Sequence, residues 1–166
     1  DLEHNQKVLE DKIESICDSV ELTVNKGCDI IVLSDINVSK KKAAIPIILL
    51  TSAVNQRLIS SGTRFLTSIV VETGQAVSTH DTACILGFGA SAVCPLTVFS
   101  RILESTNKSD EILNKLKNYQ KAINKALMKT MGKFGLCTAE SYIGGEFFEA
   151  NFLDTTDPYL AKVFPN

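Results

Sequence analysis

Residues 28–35 read Cys-Asp-Ile-Ile-Val-Leu-Ser-Asp, a run of mostly β-branched apolar side chains that ends in two small polar residues. Such a run is typical of a strand that is buried on both faces of a parallel sheet. The pattern recurs at residues 66–71, Leu-Thr-Ser-Ile-Val-Val, and at residues 90–94, Ala-Ser-Ala-Val-Cys, where Pro95 stops it. The three runs therefore predict three strands of one sheet.

Helical patterns alternate with these strands. Gly27 is a C-terminal cap after the first of them, Pro46 suits the first turn of the second, and Ser78 with Asp81 forms a capping box for the third. We predict helices over residues 8–24, 46–62, about 79–86, 96–104 and 109–135, a last helix near 142–150, and an extended tail over 154–166.

This alternation of strands and helices indicates right-handed crossovers. We predict a single α/β domain over residues 1–166, with a three- to four-stranded, mostly parallel sheet flanked by helices in barrel-like βα repeats. A closed eight-stranded barrel is excluded, because that fold needs about 250 residues.

Composition narrows the class of protein but names no function. The 166 residues are 45% apolar and carry a net charge of −2. We therefore expect neither a nucleic-acid partner nor a membrane partner, and the apolar run at 45–50 is too short to span a bilayer. Five cysteines without a Cys-x-x-Cys pair favour reduced thiols and a cytoplasmic location. Because the chain opens without methionine inside a polar, helix-like stretch, we expect a segment of a longer polypeptide.

Polar residues follow the predicted strands, at the edge where ligands bind in parallel α/β sheets. The candidate strand-end pocket consists of Ser34, Asp35, Glu72, Thr73, Gly74 and His80. Carboxylates and hydroxyls that converge there could serve acid–base chemistry or phosphate-ligand binding in a small α/β enzyme, around Asp35 and Glu72. The alternative, which we favour, is that they form turns and helix caps.

Two other arrangements resemble catalytic or metal sites only in part. His80 and Cys84 lie four residues apart on one helix, which is half of a zinc site, and the only other histidine is His4. Ser78, His80 and Asp81 lack the spacing of a nucleophile elbow. We therefore assign no catalytic, cofactor-binding or metal-binding residue.

The glycines at 87 and 89 do not form a phosphate loop. They follow a helix and precede a strand, which is the reverse of a dinucleotide fingerprint. We predict instead that Gly89 lets a helix turn directly into a buried strand, where two backbones approach closely.

The longest predicted helix carries a ladder of lysines, spaced four apart, at positions 117, 121, 125, 129 and 133. Residues 108–133 hold seven lysines against Asp110 and Glu111. A basic face could meet phosphate backbones or an acidic neighbouring domain. A solvated helix face is favoured, because arginine and stacking aromatic residues are absent.

Several phrases together resemble the glutamate synthase large-subunit family. They are Leu-Ser-Asp at 33–35, Ile-Pro-Ile-Ile-Leu at 45–49, Glu-Thr-Gly at 72–74 with His80, Leu-Gly-Phe-Gly-Ala-Ser-Ala-Val-Cys-Pro at 86–95, and the block from Lys121 through Gly135-Leu136-Cys137-Thr138 and Ser141-Tyr142 to Phe148-Glu149-Ala150. The similarity runs in order from about Lys7 to Leu153.

The resemblance implies the C-terminal part of that family's central domain, which looks like a rudimentary FMN-binding barrel. In such enzymes it joins an N-terminal glutamine amidotransferase to the FMN-binding domain, and the whole enzyme makes glutamate from 2-oxoglutarate and glutamine-derived ammonia. The resemblance thus implies a non-catalytic scaffold without its own cofactor, with FMN and an iron–sulfur cluster elsewhere in the parent enzyme. Its partners would be the amidotransferase and FMN-binding domains.

The sequence departs from that family's usual pattern at several polar positions. Ile36, Val77 and Ile143 stand where arginine is usual, Asn55 stands where histidine is, and Cys94-Pro95-Leu96 replaces Asn-Pro-Tyr. These losses argue against retained interdomain contacts at those positions. We also expect an apolar strip of Ile30, Val32, Ile69 and Val71 to drive homodimerisation of the isolated segment.

Overall fold

The three apolar runs form strands β1 (Ile30–Ser34), β2 (Ser68–Thr73) and β3 (Ala92–Pro95), which lie in this order in one parallel sheet. The structure is a computed structural model, and it describes residues 2–149, 153–154 and 156–165. In register, Ile31 lies opposite Ile69, and Val71 lies opposite Val93. The predicted α/β class with a parallel sheet is confirmed, and the sheet does not close into a barrel.

Helices connect the strands, with a 3-10 turn at Arg64–Leu66 before β2. They are α1 (Leu2–Asn25), α2 (Ile47–Ser60), α3 (Thr79–Gly87), α4 (Leu96–Glu104), α5 (Ser109–Lys133) and α6 (Pro158–Val163). Each strand begins two residues later than predicted, because the preceding turn takes up the first residues of the run; Leu66, for example, belongs to the 3-10 turn. Gly27, at φ +92°, follows α1 as expected of a glycine cap. No helix in the described part of the chain is both long enough and apolar enough to cross a membrane.

Only one face of the sheet lies in the core, which corrects the prediction of strands buried on both faces. Ile31 and Ile69 belong to the hydrophobic core beneath α1 and α2. On the opposite face, Ile30 and Val32 are 59% and 57% exposed. The predicted apolar strip is therefore wrong for Ile69 and Val71, which are fully buried, because successive side chains of a strand point to opposite faces.

The region after α5 also differs from its prediction. Residues 142–149 form turns instead of a helix, because Gly144 (φ +71°) and Glu146 (φ +52°) have left-handed backbone conformations. Ala150, the predicted end of that helix, lies outside the described residues. The buried ring of Tyr142 anchors these turns, since its hydroxyl donates a hydrogen bond of 2.8 Å to the Ala83 carbonyl of α3.

The predicted extended tail contains the helix α6. Asp157 caps this helix by accepting hydrogen bonds from the next backbone amides. The buried Val163 carbonyl accepts a hydrogen bond from Ser52 Oγ of α2, and the Phe164 ring packs edge-on against Phe88 at 5.2 Å between centroids. The Asp157 cap and the buried side chains of Val163 and Phe164 therefore stabilise a helix in the segment that is predicted to be an extended tail.

A cluster of charged side chains joins α1, α2 and α6. The Arg57 guanidinium of α2 forms ion pairs with three carboxylates of α1, those of Glu14, Asp18 and Glu21. Lys162 of α6 pairs with Glu14 at 3.1 Å. These partners hold the pKa of Arg57 above its usual range, with the hydrogen bond to Asp18 as the largest cause.

Candidate functional site

The predicted pocket at the strand ends is a closed hydrogen-bond network, which we call the strand-end rim. Asp35, directly after β1, accepts three hydrogen bonds from the end of β2 and the residues after it. The donors are Thr73 Oγ1 at 2.6 Å, the Gly74 amide at 2.9 Å and Gln75 Nε2 at 3.1 Å. Both oxygens of this carboxylate are thus engaged within the fold.

The second carboxylate of the rim is also bound to its neighbouring strand. Ser34 Oγ donates a hydrogen bond to Glu72 Oε2, and the Asp35 amide donates one of 3.1 Å to the Glu72 carbonyl. The structure therefore brings together five of the six predicted residues, all but His80. Their hydrogen bonds join the end of β1 to the end of β2 just beyond Ser34 and Glu72, the last paired residues of the two strands.

Gln75 is a member of the rim that the sequence pattern does not reveal. Its Nε2 donates both to Asp35 and to the Ile45 carbonyl at 2.9 Å, while its Oε1 accepts from the Ile47 amide at 3.1 Å. Pro46 offers no side-chain cap to α2, so the Ile47 amide at the start of that helix needs another acceptor. Gln75, which lies 28 residues away in the sequence, supplies it. No local signal could have identified this contact.

Gly74 connects the rim to α4. Its carbonyl accepts a hydrogen bond of 2.7 Å from Thr97 Oγ1, and a Cβ at position 74 would lie 3.2 Å from that hydroxyl. The adjacent cavity, beside Ser34 and Asp35, has a volume of about 210 Å³. The rim thus positions the starts of α2 and α4, and in the described structure its Asp35 oxygens have little capacity left for a ligand.

His80 lies apart from the rim, on the exposed side of α3. Its Nε2 is 3.4 Å from Cys84 Sγ, and its ring meets Phe148 edge-on at 5.4 Å between centroids. Burial raises the pKa of the Cys84 thiol to about 11, so the free thiol is protonated at neutral pH. Within residues 2–149, 153–154 and 156–165, no group of three His, Cys, Asp or Glu side chains is placed to hold a metal ion.

The capping box of α3 is confirmed. Ser78 Oγ accepts from the Asp81 amide at 3.1 Å, and Asp81 Oδ2 accepts from the amides of Ser78 and Val77. Burial acts to raise the pKa of Asp81, but these hydrogen bonds outweigh it and hold the pKa below its ordinary value. Asp81 is therefore a helix cap, and it makes no hydrogen bond to His80 among the described contacts.

A second polar cluster lies at the opposite end of the sheet, before β2 and β3. Arg64 of the 3-10 turn donates to Asn55 Oδ1 at 2.7 Å, to the Thr67 carbonyl at 2.8 Å and to the Gly89 carbonyl at 2.9 Å. Burial lowers the pKa of Arg64. No sequence motif reveals this cluster, because its members come from α2, the 3-10 turn and the loop before β3.

The lysine ladder lies on the exposed surface of α5. All five lysines are exposed, and Met131 is the one buried residue among those described on that helix. The other apolar side chains of α5 are at most partly buried, and Leu113 and Met128 are largely exposed. The solvated-face interpretation fits this placement.

Comparison with known proteins gives one consistent result. The family model described as "Glutamate synthase central domain" matches residues 1–154. The ferredoxin-dependent glutamate synthase of Spinacia oleracea is 36% identical over 156 residues, which cover 85% of this chain and 10% of that protein. The NADH glutamate synthase of Schizosaccharomyces pombe is 34% identical over 147 residues, covering 86% of this chain and 7% of that protein. The chain spans about a tenth of the length of these relatives.

Proposed function

The chain belongs to the glutamate synthase central domain family, and we propose that it is a non-catalytic scaffold which connects the glutamine amidotransferase and FMN-binding domains of a glutamate synthase large subunit. The observation that carries the proposal is the ordered match of one domain model to residues 1–154, within relatives about ten times longer. In this role the domain would serve glutamate biosynthesis through the geometry of its neighbours.

The strand-end rim supports a structural role. Its central carboxylate, Asp35, accepts three hydrogen bonds from residues 73–75, and a general base needs an oxygen that is free to take a proton. The alternative, a small α/β enzyme or phosphate-ligand binder at Asp35 and Glu72, stays a prediction. Two carboxylates at this rim also oppose the binding of a phosphate.

The exposed face of β1 supports docking to another domain. Ile30 and Val32 lie side by side on a strand at the edge of the sheet, and more than half of each side chain is exposed. Exposed apolar surface beside an unpaired strand edge favours association. We propose that a neighbouring domain of the parent polypeptide covers this face, called here the β1 face.

The parent enzyme would carry FMN and an iron–sulfur cluster outside this segment. The described residues at the strand ends do not fit an FMN phosphate, since they present the carboxylates of Asp35 and Glu72 where a phosphate needs cations or free backbone amides. Relatives are named as ferredoxin-dependent or NADH enzymes, so either donor is compatible with this chain. A cytoplasmic location is part of the proposal, and cell fractionation tests it.

Substitution at the β1 face of the parent enzyme tests the scaffold role. Val32→Glu places a charge on that face, whereas Lys121→Glu, on the exposed surface of α5, is the control. We expect Val32→Glu to lower glutamine-dependent glutamate formation at least about tenfold, equivalent to about 1.4 kcal/mol, and Lys121→Glu to have no effect. Glutaminase activity and ammonia-dependent glutamate formation should change less than about twofold.

Two results would contradict the proposal. One is unchanged glutamine-dependent activity in a Val32→Glu enzyme that folds normally. The other is glutaminase activity, or stoichiometric flavin absorbance, in the purified 166-residue chain.

A further inference from the structure

A cavity of about 500 Å³ opens where β2 and β3 begin, at the end of the sheet opposite the strand-end rim. It lies between the last turn of α2, the 3-10 turn and residues 140–144. Its lining includes the polar residues Asn55, Arg64, Thr67 and Ser91. The volume falls within the range typical of small-molecule sites.

Among the described residues, the Arg64 charge has no ion-pair partner, although the acidic residue Glu140 also lines the cavity. Its three hydrogen bonds go to the neutral oxygens of Asn55, Thr67 and Gly89, which leaves two of the five guanidinium N–H groups unused. No carboxylate of the described residues forms an ion pair with Arg64. A partly buried charge without a counter-ion is costly, so an anion at this point would be stabilising.

Two buried polar atoms of the same cluster also lack partners. Asn55 is only 2% exposed, and neither its Nδ2 nor the Thr67 Oγ1 has a hydrogen-bond partner among the described residues. Native proteins leave few such groups unsatisfied. Both residues line the cavity, so a ligand with acceptor oxygens could satisfy these two buried atoms after a small rotation of their side chains.

The exposed part of the cavity lining includes two apolar side chains and Glu140. Phe65 is fully exposed and Ile59 is about half exposed, and both contribute to the lining. The exposed Phe65 ring and the Arg64 guanidinium, which lacks an ion-pair partner among the described residues, line the same cavity. Together they favour a ligand that carries both a negative charge and an apolar body.

We propose that this cavity binds a small organic carboxylate with a compact apolar body, whose carboxylate pairs with Arg64 and whose body packs on Phe65 and Ile59. The residues that carry the unsatisfied groups line a concave space, whereas domain contacts place their apolar core on a flatter surface with a polar rim. A free small molecule is therefore favoured over a side chain of a neighbouring domain. Parallel sheets usually bind ligands at the opposite edge, so a search guided by fold alone would miss this site.

Benzoate is a suitable probe, and benzamide is its neutral isostere. Amide chemical shifts of the 15N-labelled chain, followed during titration, should show saturable changes at Arg64, Phe65 and Ser91 for benzoate. Because a charged hydrogen bond is worth about 1.5–3 kcal/mol, we expect benzamide to bind about 10–150 times more weakly. Glu140→Gln removes the acidic side chain that lines the cavity and should tighten benzoate binding.

Variants separate binding from folding. Arg64→Met should abolish benzoate binding, but Arg64 also holds three structural hydrogen bonds. Phe65→Ala is the second variant, because a fully exposed ring adds little to stability, and it should weaken benzoate at least about threefold. Leu66→Ala, at an exposed neighbour outside the lining, is its matched control and should bind like the wild type.

Any one of four outcomes would overturn the proposal. The first is that benzoate and benzamide bind equally well, and the second is that benzoate causes no saturable chemical-shift changes. The third is that the Phe65→Ala and Leu66→Ala variants bind benzoate with the same affinity. If the 166-residue chain binds benzoate but the parent large subunit does not, the cavity is a contact between domains and the free-ligand proposal fails.

Discussion

Gly89 is the position where one added methyl group should damage the fold most. Its φ is +117°, and a Cβ there would lie 2.4 Å from Asn55 Cγ and 2.6 Å from Asn55 Oδ1. Asn55 is buried, and its Oδ1 accepts the Arg64 hydrogen bond, so the side chain cannot move without breaking that bond. Gly89→Ala thus combines backbone strain with a displaced polar network.

The magnitude follows from these two costs. A non-glycine residue at positive φ costs about 1–3 kcal/mol, and losing a hydrogen bond to a charged group costs about 1.5–3 kcal/mol. We therefore expect Gly89→Ala to lower the free energy of unfolding by about 3–5 kcal/mol. Gly62→Ala is the matched control: its φ is +70° and a Cβ there would meet nothing within 4 Å. Strain alone should cost that variant about 1 kcal/mol.

Urea unfolding followed by far-ultraviolet circular dichroism measures both variants, since the chain has no tryptophan for fluorescence. Equal dependence of the free energy on urea concentration would show that the substitutions change stability without changing the surface exposed on unfolding. A loss for Gly89→Ala within about 1 kcal/mol of the loss for Gly62→Ala would refute the predicted clash with Asn55.

Three further predictions concern pH, thiol reactivity and association. The lowered pKa of Asp81 means that its charge stabilises the fold above the ordinary aspartate pKa, and that this contribution is lost as pH falls through the folded value. The stability difference between wild type and Asp81→Asn, from urea midpoints, should thus be full at neutral pH and vanish in acid; a pH-independent difference contradicts it. Burial raises the pKa of Cys17 to about 11, so iodoacetamide should label the exposed Cys137 first, and mass spectrometry that finds Cys17 modified first would exclude this order. Sedimentation equilibrium should show a concentration-dependent dimer that Val32→Lys weakens and Lys121→Ala does not, whereas a wild-type monomer of 18.1 kDa at all concentrations refutes association through the β1 face.

Features encoded in neighbouring residues could be predicted from the sequence. The capping box of Ser78 and Asp81 and the glycine cap at Gly27 depend on contacts within a few positions, and both are present. The three strands were also predictable, because short runs of β-branched residues that are bounded by turn residues and alternate with helical patterns are typical of buried strands. The parallel order of the sheet then follows from the crossover rule.

Features that depend on distant pairings could not be predicted. A continuous apolar strand does not reveal which of its faces is covered, so Ile69 and Val71 were assigned to the same exposed strip as Ile30 and Val32. Only the register, with Ile31 opposite Ile69, places them on different faces. The candidate strand-end pocket includes His80, whereas the structure places this residue on the exposed side of α3, beside Cys84 and Phe148.

Both candidate sites contain a residue that no motif identifies. Gln75 bridges residues 28–40 positions away, and Arg64 reaches Gly89 across 25 positions. Glutamine and arginine are common on protein surfaces, and their side chains are long enough to join elements in many ways. Their roles become visible only when the helices and strands are in place.

The contact between α1 and α6 affects how the segment would respond to mechanical load. Gln6 Nε2 donates a hydrogen bond of 3.1 Å to Asp157 Oδ2, and Lys162 pairs with Glu14, so the first and last described helices meet at one corner. If the chain is pulled at its first and last described residues, we expect these contacts between α1 and α6 to be loaded before the pairing of β1 with β2, because they lie nearest to both points of attachment.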